Sequence, residues 1–379
     1  MLEFLPIAAE VEGVTMQVRE ILDSERNLWN TFVAESPTGD LLQSFEWGEL
    51  KRRSGGWQPI RLAAESDGKI VGAISILKRK LPHLNKCIFY APRGPVCDFS
   101  DRQALQVLVD AVKDRACREG AILFKIDPPV VVEKVDVLPL LGQLGLKEIA
   151  NPNGFGGVQP RCVMQLDLSP SIDELLAGCK PKWRYNIRLA EKKGVHVRSD
   201  CTKDDLRVFY NILKETAKRD RFLVRGYNYY EQMWDTLVEP GYANLFLAEY
   251  EGEAVAGALS FIFGDKCWYT YGASSNRHRN VMPNHLMQWR MIEWAKDSGC
   301  VWYDFRGVSP KKEEDSGDHL YGLNRFKEGF GARFVEYIGE FDLPFSRTWY
   351  WLWAVGKPML TSAMKALKRS RSEGLGIGD

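Results

Sequence analysis

One pattern of apolar and turn residues occurs twice in this chain. Residues 62–77 read LAAESDGKIVGAISIL, and residues 246–262 read FLAEYEGEAVAGALSFI. Each segment contains an Ala-Glu pair, an acidic residue followed by Gly, and then Gly-Ala-aliphatic-Ser. An acidic-Gly dipeptide between apolar runs is typical of a two-residue β-hairpin turn. The two halves of the chain are therefore predicted to contain the same hairpin.

The elements around the two hairpins are also predicted to follow the same order. A helical stretch precedes each hairpin (45–53 and 204–219), and a third strand (87–90 and 267–271), a helix (101–118 and 283–297) and a further strand follow it. Gly120 and Gly299 stand just past the second helix of each copy, where glycine is the expected helix stop. This order resembles the GNAT acyltransferase fold, so we predict an α/β protein of two tandem GNAT-like units.

The domain boundaries follow from this repeat. Gly, Pro and Asn cluster within 154–161, between two periodic segments, as expected of a linker. We predict a first unit over 1–160, completed by 340–379, and a second unit over 161–339.

Composition restricts the chemistry. The chain has 51 Lys and Arg against 50 Asp and Glu, so a phosphate-binding surface must be local rather than a property of the whole molecule. The eight Cys and five His show no zinc-site or HExxH spacing, so no metal and no cofactor is predicted. No signal peptide or spanning segment is visible, which predicts a cytoplasmic protein.

The densest basic stretch is 171–198. Ser171 and Glu174 form a capping-box pattern, and Pro181 suits the first turn of a second helix. One side of that helix is apolar and the other carries the cations Lys182, Arg184, Arg188 and Lys192. Such a face suits a phosphate-rich partner such as tRNA, and it equally suits an ordinary solvated helix.

A second basic position is the loop before the helix at Pro283, which contains Arg277 and Arg279. In the GNAT fold a loop of this kind binds the pyrophosphate of an acyl carrier at a helix N-terminus. The usual Gly-rich version of the loop is missing, which argues against an ordinary acyl-CoA enzyme.

The most specific stretch is 303–342, YDFRGVSPKKEEDSGDHLYGLNRFKEGFGARFVEYIGEFD. It resembles the C-terminal signature of the Fem-type (FemABX) peptidoglycan bridge-forming aminoacyltransferases. The resemblance extends to YTYGASSNRHRNVMPNHLMQW, KWRYNIRLAEKKGV, ETAKRDRF, QSFEWGELKRRSG and YAPRGPVCD, and so covers most of residues 43–342.

The resemblance implies a reaction. A Fem-type enzyme moves Gly, Ala or Ser from aminoacyl-tRNA to an amine of the stem peptide of a UDP-linked or lipid-linked peptidoglycan precursor. The sequence leaves open which amino acid is donated, how many are added and which precursor accepts it.

The resemblance also implies site residues. Lys327 matches the family's essential lysine at the tRNA acceptor end, with Phe326 beside it. Lys51 and either Arg219 or Arg225 match positions that hold the diphosphate of the precursor. Asp98 and Tyr271 are expected near the acceptor amine.

Two features depart from the staphylococcal members of the family. No heptad-bearing hairpin interrupts the second unit, so no coiled-coil arm is predicted. Residues 345–379 begin with a Trp-rich run and continue with Lys and Arg. This composition suits peripheral contact with the inner membrane surface, and it suits a packed terminal helix equally well.

Two other functions remain open at this point. One is an acyltransferase of related fold that uses acyl-CoA as donor or a protein N-terminus as acceptor. The other is a non-catalytic module that binds RNA or a membrane.

Overall fold

The computed structural model describes residues 7–11, 14–134, 136–149, 157–310 and 321–354. Residues 154–156 of the predicted linker lie outside these ranges, as does the C-terminal segment beyond 354. The division of the chain at residue 160 therefore stays a prediction.

The first sheet contains nine strands in the order β1-β2-β3-β4-β5-β7-β16-β8, with β6 paired to β4. Its strands are β1 (Ile7–Val11), β2 (Val14–Glu20), β3 (Gln58–Ser66), β4 (Lys69–Lys80), β5 (Cys87–Ala91), β6 (Val96–Cys97), β7 (Ala121–Ile126), β8 (Lys147–Ile149) and β16 (Glu340–Pro344). Only β5 and β7 pair in parallel; the other pairs of this sheet are antiparallel.

The second sheet contains seven strands in the order β10-β11-β12-β13-β14-β9-β15. Its strands are β9 (Cys162–Asp167), β10 (His196–Arg198), β11 (Ala243–Tyr250), β12 (Glu253–Phe263), β13 (Lys266–Ser274), β14 (Trp302–Gly307) and β15 (Arg333–Glu336). Here too a single pair, β13 and β14, is parallel. After β15 the chain returns to the first sheet through β16.

Ten helices surround the sheets in the described ranges. They are α1 (Arg26–Glu35), α2 (Phe45–Gly55), α3 (Arg102–Glu119), α4 (Val137–Gln143), α5 (Ile172–Gly178), α6 (Pro181–Lys192), α7 (Asp205–Asp220), α8 (Tyr227–Met233), α9 (Pro283–Asp297) and α10 (Tyr321–Glu328). A further helical segment covers 347–354. In the described part of the second unit the longest helix, α7, has 16 residues, which leaves no coiled-coil arm there.

The repeated hairpins match each other in detail. In each hairpin the register of strand pairing shifts within the Ala-Glu dipeptide. The shift lies between Ala64 and Glu65 in the first hairpin and between Ala248 and Glu249 in the second. Each turn has positive φ at the acidic residue and at the following glycine. This is the backbone that a two-residue primed turn requires. The prediction of two tandem α/β units of the same design is confirmed.

An apolar core joins the two units. It contains α1 and α2 of the first unit together with α7, α8 and β11–β13 of the second. Trp47 from α2 packs edge to face against Phe261 from β12, with 6.2 Å between ring centroids. Because this core is buried and continuous, the two units are expected to unfold together.

Phe261→Ala tests this shared core. Phe261 is almost fully buried, so removing its ring is expected to lower the free energy of unfolding by about 3–5 kcal/mol. Urea denaturation followed by Trp fluorescence and by circular dichroism is expected to give a single shared transition. Leu22→Ala, at an exposed site, is the control and should change stability by less than about 0.5 kcal/mol. Two separate transitions would contradict the shared core.

Candidate active site

Lys327 is a buried lysine at the end of α10. Only 6% of it is exposed, and its Nζ donates hydrogen bonds to the carbonyl oxygens of Gly307 (2.6 Å) and Arg306 (3.3 Å). Burial lowers the pKa of Lys327 to about 8, although the nearby Asp304 carboxylate favours the charged form. An ammonium group of this kind is positively charged at neutral pH and poorly solvated, which suits it to stabilise a developing negative charge.

The turn that holds Lys327 is built by Asp304. Its Oδ1 accepts a hydrogen bond from the backbone N–H of Arg306 (2.6 Å), and Arg306 has a left-handed backbone with φ of 62°. A side-chain acceptor two residues earlier stabilises such a turn, which a long side chain rarely adopts alone. The two carbonyls that bind Lys327 belong to this turn. Asp304 is buried, and burial raises its pKa.

α10 is fixed to the rest of the second unit at its middle and just past its C-terminal end. Asn324 accepts from the N–H of Ser309 and donates to its carbonyl, each at 2.9 Å. Gly329 lies against the Trp183 ring, and a Cβ at this position would come within 2.1 Å of it. The helix that carries Lys327 therefore has a defined position against β14 and α6.

An aromatic cluster adjoins Lys327. The Phe326 ring lies 5.2 Å from that of His285 and 5.3 Å from that of Phe330, and His285 lies 5.5 Å from Trp183. Burial, together with the charge of Lys182, lowers the pKa of His285 to about 4, so its ring is neutral at pH 7. The cluster provides flat apolar surfaces beside a single cation.

A second cationic position combines Lys51 with Arg225. Lys51 Nζ donates to the Tyr229 hydroxyl (3.0 Å) and lies 4.1 Å from the centre of the Trp47 ring. The Arg225 guanidinium lies 4.6 Å from the Tyr229 ring. Burial and the charge of Arg225 lower the pKa of Lys51 to about 7. Neither cation forms a salt bridge within the described residues, so no carboxylate there offsets their charges.

Tyr271 lies between the two cationic positions. Its hydroxyl oxygen is 3.5 Å from that of Tyr229. Burial raises the pKa of Tyr271, while its contact with Tyr229 and the charges of Arg225 and Arg306 oppose the rise. Tyr271 thus contacts Tyr229 and lies close enough to Arg306, whose carbonyl binds Lys327, to respond to its charge. We call the series Lys51, Tyr229, Tyr271 and Lys327 the candidate path.

This path follows an opening in the second sheet. The parallel strands β13 and β14 pair over only three residues each, Lys266–Trp268 and Trp302–Asp304. Beyond this point β13 continues through Tyr271 to Ser274 and β14 continues to Gly307, without pairing to each other. The two strands therefore diverge beyond Trp268 and Asp304.

The structure distinguishes the two arginines predicted for the diphosphate. The Arg219 guanidinium donates to the carbonyl of Ser274 (2.8 Å) and to Asn276 Oδ1 (3.0 Å), and it pairs with Asp220. It holds the loop that follows β13. Arg225, in contrast, lies beside Lys51.

Asp98 lies apart from this path. Its Oδ1 accepts hydrogen bonds from the N–H (2.8 Å) and the hydroxyl (2.7 Å) of Ser100. It lines a cleft of about 1190 Å³ in the first unit, whose lining also includes Phe99, Arg102 and Val130 but not Tyr271. Among the described residues no hydrogen bond joins Asp98 to Tyr271, so their shared role at the acceptor amine stays a prediction.

The predicted cationic face of α6 is present with one exception. Lys182, Arg188 and Lys192 are exposed. Arg184 instead donates to the carbonyl of Ala177 (2.9 Å) and to that of Cys179, so it caps the end of α5. The capping box at Ser171 and Glu174 is formed as predicted.

The loop before α9 places its two arginines in solvent. Arg277 pairs with Glu253 at 2.7 Å, and both side chains are exposed. Arg279 is exposed in a short 3₁₀ turn and has no ion pair among the described residues. Neither lies in the path between Lys51 and Lys327.

Two further properties bear on function. No three His, Cys, Asp or Glu side chains in the described ranges are grouped so as to hold a metal ion. Among the described helices, none has the length and apolar character needed to cross a membrane.

Fold and site together define a tandem acyltransferase-like protein with a buried lysine at the strand opening of its second unit. The chain belongs to the FemAB family, whose model matches residues 25–252 and 241–357. The resemblance stated from the sequence is confirmed.

Several known proteins are similar over nearly the whole chain. A lipid II:glycine glycyltransferase from Staphylococcus aureus (strain MRSA252) is 34% identical over 410 residues, which covers 90% of this chain and 96% of the relative. The crystal structure of FemX superimposes with a TM-score of 0.82 at 31% identity, covering 88% of this chain and 99% of FemX. A tandem GNAT protein from the clavulanic acid biosynthesis pathway shares the fold at 12% identity, with a TM-score of 0.53.

Sequence reasoning missed several residues of this site. Tyr229 lies between Lys51 and Tyr271, Arg306 and Asp304 form the turn at Lys327, and His285 joins the aromatic cluster. Asp304 and Arg306 stand within the YDFRG motif, whose Asp-x-Arg spacing could have suggested the turn. Nothing in the sequence indicated Tyr229 or His285.

Asp304→Asn tests the role of Asp304 in holding Lys327 charged. The amide oxygen can still accept from the Arg306 N–H, but the negative charge is lost, so the pKa of Lys327 is expected to fall below its value of about 8. The measurement is the pH dependence of trace acetylation at Lys327, read by mass spectrometry. Asp127→Asn, at another buried carboxyl, is the control and should leave Lys327 unchanged. If Lys327 titrates in Asp304→Asn as it does in the wild type, Asp304 does not hold Lys327 charged.

Proposed function

We propose that this protein is an aminoacyltransferase that moves an amino acid from aminoacyl-tRNA to an amine of a peptidoglycan precursor. The observation that carries the proposal is the buried Lys327 ammonium, bound by carbonyls at the point where β14 diverges from β13. The relatives named above support the same reaction, since they are lipid II:glycine glycyltransferases and FemX.

The chemistry needs few catalytic groups. The precursor amine attacks the ester carbonyl of aminoacyl-tRNA, a carbon–nitrogen bond forms, and the ester carbon–oxygen bond breaks. The tRNA hydroxyl leaves with the proton that the amine gives up. An ester is already activated, so holding amine and carbonyl together provides much of the acceleration. Lys327 would stabilise the oxyanion, a contribution of about 3 kcal/mol for a single donor.

The Lys51–Arg225 pair would bind the diphosphate of the precursor. Both cations lie on the Tyr229 ring and neither is neutralised by a carboxylate in the described structure. A diphosphate would offset the burial and the repulsion from Arg225 that lower the pKa of Lys51. Tyr271 then lies where the precursor peptide passes toward Lys327. Of the two arginines considered from the sequence, we assign Arg225 to this role.

The tRNA would approach from the side of α6. Lys182, Arg188 and Lys192 are exposed cations on one helix, and Lys182 is close enough to influence His285 in the aromatic cluster. A phosphate backbone along these cations would bring the acceptor end to Phe326 and Lys327. Arg277 and Arg279 are exposed and available for further phosphate contacts.

The acceptor would be the lipid-linked precursor, as in the name of the relatives. Peripheral membrane contact is part of this proposal. In the helical segment 347–354, Trp351 is 62% exposed and Leu352 is exposed beside it. Exposed Trp and Leu followed by a basic run are typical of segments that lie in a membrane interface.

Lys327→Ala tests the proposed chemistry. Loss of the oxyanion-stabilising cation is expected to lower turnover of aminoacyl-tRNA by about a hundredfold or more while precursor affinity is retained. The assay uses labelled Gly-, Ala- and Ser-tRNA with both precursor forms, and acetyl-CoA as an alternative donor. Lys296→Met is the matched control, since Lys296 also donates to a backbone carbonyl of this unit. Turnover within a few fold of the wild type would exclude Lys327 from the mechanism.

Precursor affinity is expected to depend on pH through Lys51. The pKa of free Lys51 is about 7, and a bound diphosphate favours its charged form, so affinity should fall as pH rises through about 7. Lys51→Arg keeps its charge in this range and should flatten the dependence. Isothermal titration calorimetry with precursor, in the absence of aminoacyl-tRNA, measures the affinity of both proteins at each pH. The same pH profile in the two proteins would contradict the assignment of Lys51.

A further inference from the structure

The loop between α7 and α8 exposes two large apolar side chains. Phe222 is 44% exposed and Leu223 is 71% exposed. No other large apolar residue in the described ranges is as exposed as Leu223. Adjacent exposed apolar side chains on a surface loop are unfavourable in water unless another apolar surface covers them.

The backbone of this loop is held in place. The Phe222 N–H donates to the carbonyl of Ala217 (3.2 Å), and Arg221 adopts a left-handed backbone that ends α7. The Tyr210 hydroxyl donates to the carbonyl of Arg225 (3.1 Å). Phe222 and Leu223 therefore project from a loop that is anchored on both sides.

The apolar tip adjoins the cation pair that binds diphosphate in the proposed function. Leu223 precedes Arg225 by two residues, so their Cα atoms are at most about 7 Å apart. Arg225 packs on the Tyr229 ring beside Lys51. A group leaving the diphosphate on this side would therefore meet Phe222 and Leu223.

The surroundings of the tip are basic. The exposed side of the C-terminal half of α7 and its end carry Lys214, Lys218 and Arg221. Of the nearby acids, Asp220 is paired with Arg219, and Glu215 accepts from the N–H of Asn276. Exposed apolar side chains next to several cations are typical of a protein surface that enters the interface of an anionic membrane.

We propose that Phe222 and Leu223 insert into the membrane leaflet beside the acceptor, so that the Lys51–Arg225 pair binds the diphosphate of a polyprenyl-linked precursor at the lipid surface. This inference rests on the proposed function for the diphosphate site and adds the element that docks the enzyme. A polyprenyl chain is apolar and has no hydrogen-bonding groups, which matches Phe and Leu side chains. A nucleoside in the same place would require polar partners that these two side chains lack.

The test uses Phe222→Ser/Leu223→Ser in the full chain. Two measurements are made, co-sedimentation with phosphatidylcholine–phosphatidylglycerol vesicles and turnover of a polyprenyl-linked precursor in those vesicles. Both are expected to fall by roughly tenfold or more, because the apolar contact with the leaflet is lost. Turnover of the same precursor with a short, water-soluble prenyl chain is expected to stay within about twofold of the wild type.

Three further variants make the outcome unambiguous. Leu22→Ser, at another exposed leucine, should change neither measurement. Lys51→Met should lower turnover of both acceptors and leave vesicle binding intact. Normal turnover in Lys51→Met would contradict the diphosphate site. The vesicle binding of the loop variant would still test the loop separately. If Trp351→Ser/Leu352→Ser abolishes vesicle binding and the loop variant does not, the membrane contact lies in the C-terminal segment and the inference is overturned. Equal losses on vesicle-borne and water-soluble acceptors in the loop variant would overturn it as well.

Discussion

The site depends on the hydrogen bonds between the Lys327 ammonium and the carbonyls of Arg306 and Gly307. These carbonyls are available because β14 separates from β13 after three paired residues, which leaves the end of β14 without a strand partner on that side. Carbonyls rather than a carboxylate bind the ammonium, so its charge is hydrogen-bonded but has no acid in direct contact. A cation held in this way is better able to respond to a new negative charge than one already paired with an acid.

The two-unit fold explains how two large substrates reach this cation. Lys51 comes from α2 of the first unit, whereas Tyr229, Tyr271 and Lys327 come from the second. Their relative positions are fixed by the apolar core that joins α2 to β12. A precursor bound at Lys51 and a tRNA end at Phe326 would therefore meet at a geometry set by the fold. This lowers the entropic cost of bringing the amine and the ester carbonyl together.

Local signals in the sequence predicted much of the fold. The hairpins, the capping box at Ser171 and the helix at Pro283 all depend on residues close in sequence, and all are present. Side-chain partners were less predictable. From the sequence, Arg184 and Arg219 were interpreted as cations free to bind phosphate. In the folded chain each donates hydrogen bonds to backbone carbonyls instead. Tyr229 was missed for the same reason, since its contact with Lys51 joins positions 178 residues apart.

One substrate pair would use both ends of the candidate path, with the precursor at Lys51 and the tRNA end at Lys327. A crystal structure of the protein with a diphosphate-linked precursor and a non-hydrolysable aminoacyl-RNA mimic would test this most directly. We expect the diphosphate oxygens to contact Lys51 and Arg225, and the acceptor amine to lie beside Tyr271, facing a carbonyl carbon within reach of Lys327. A diphosphate bound elsewhere, or an amine directed into the Asp98 cleft away from Lys327, would contradict it.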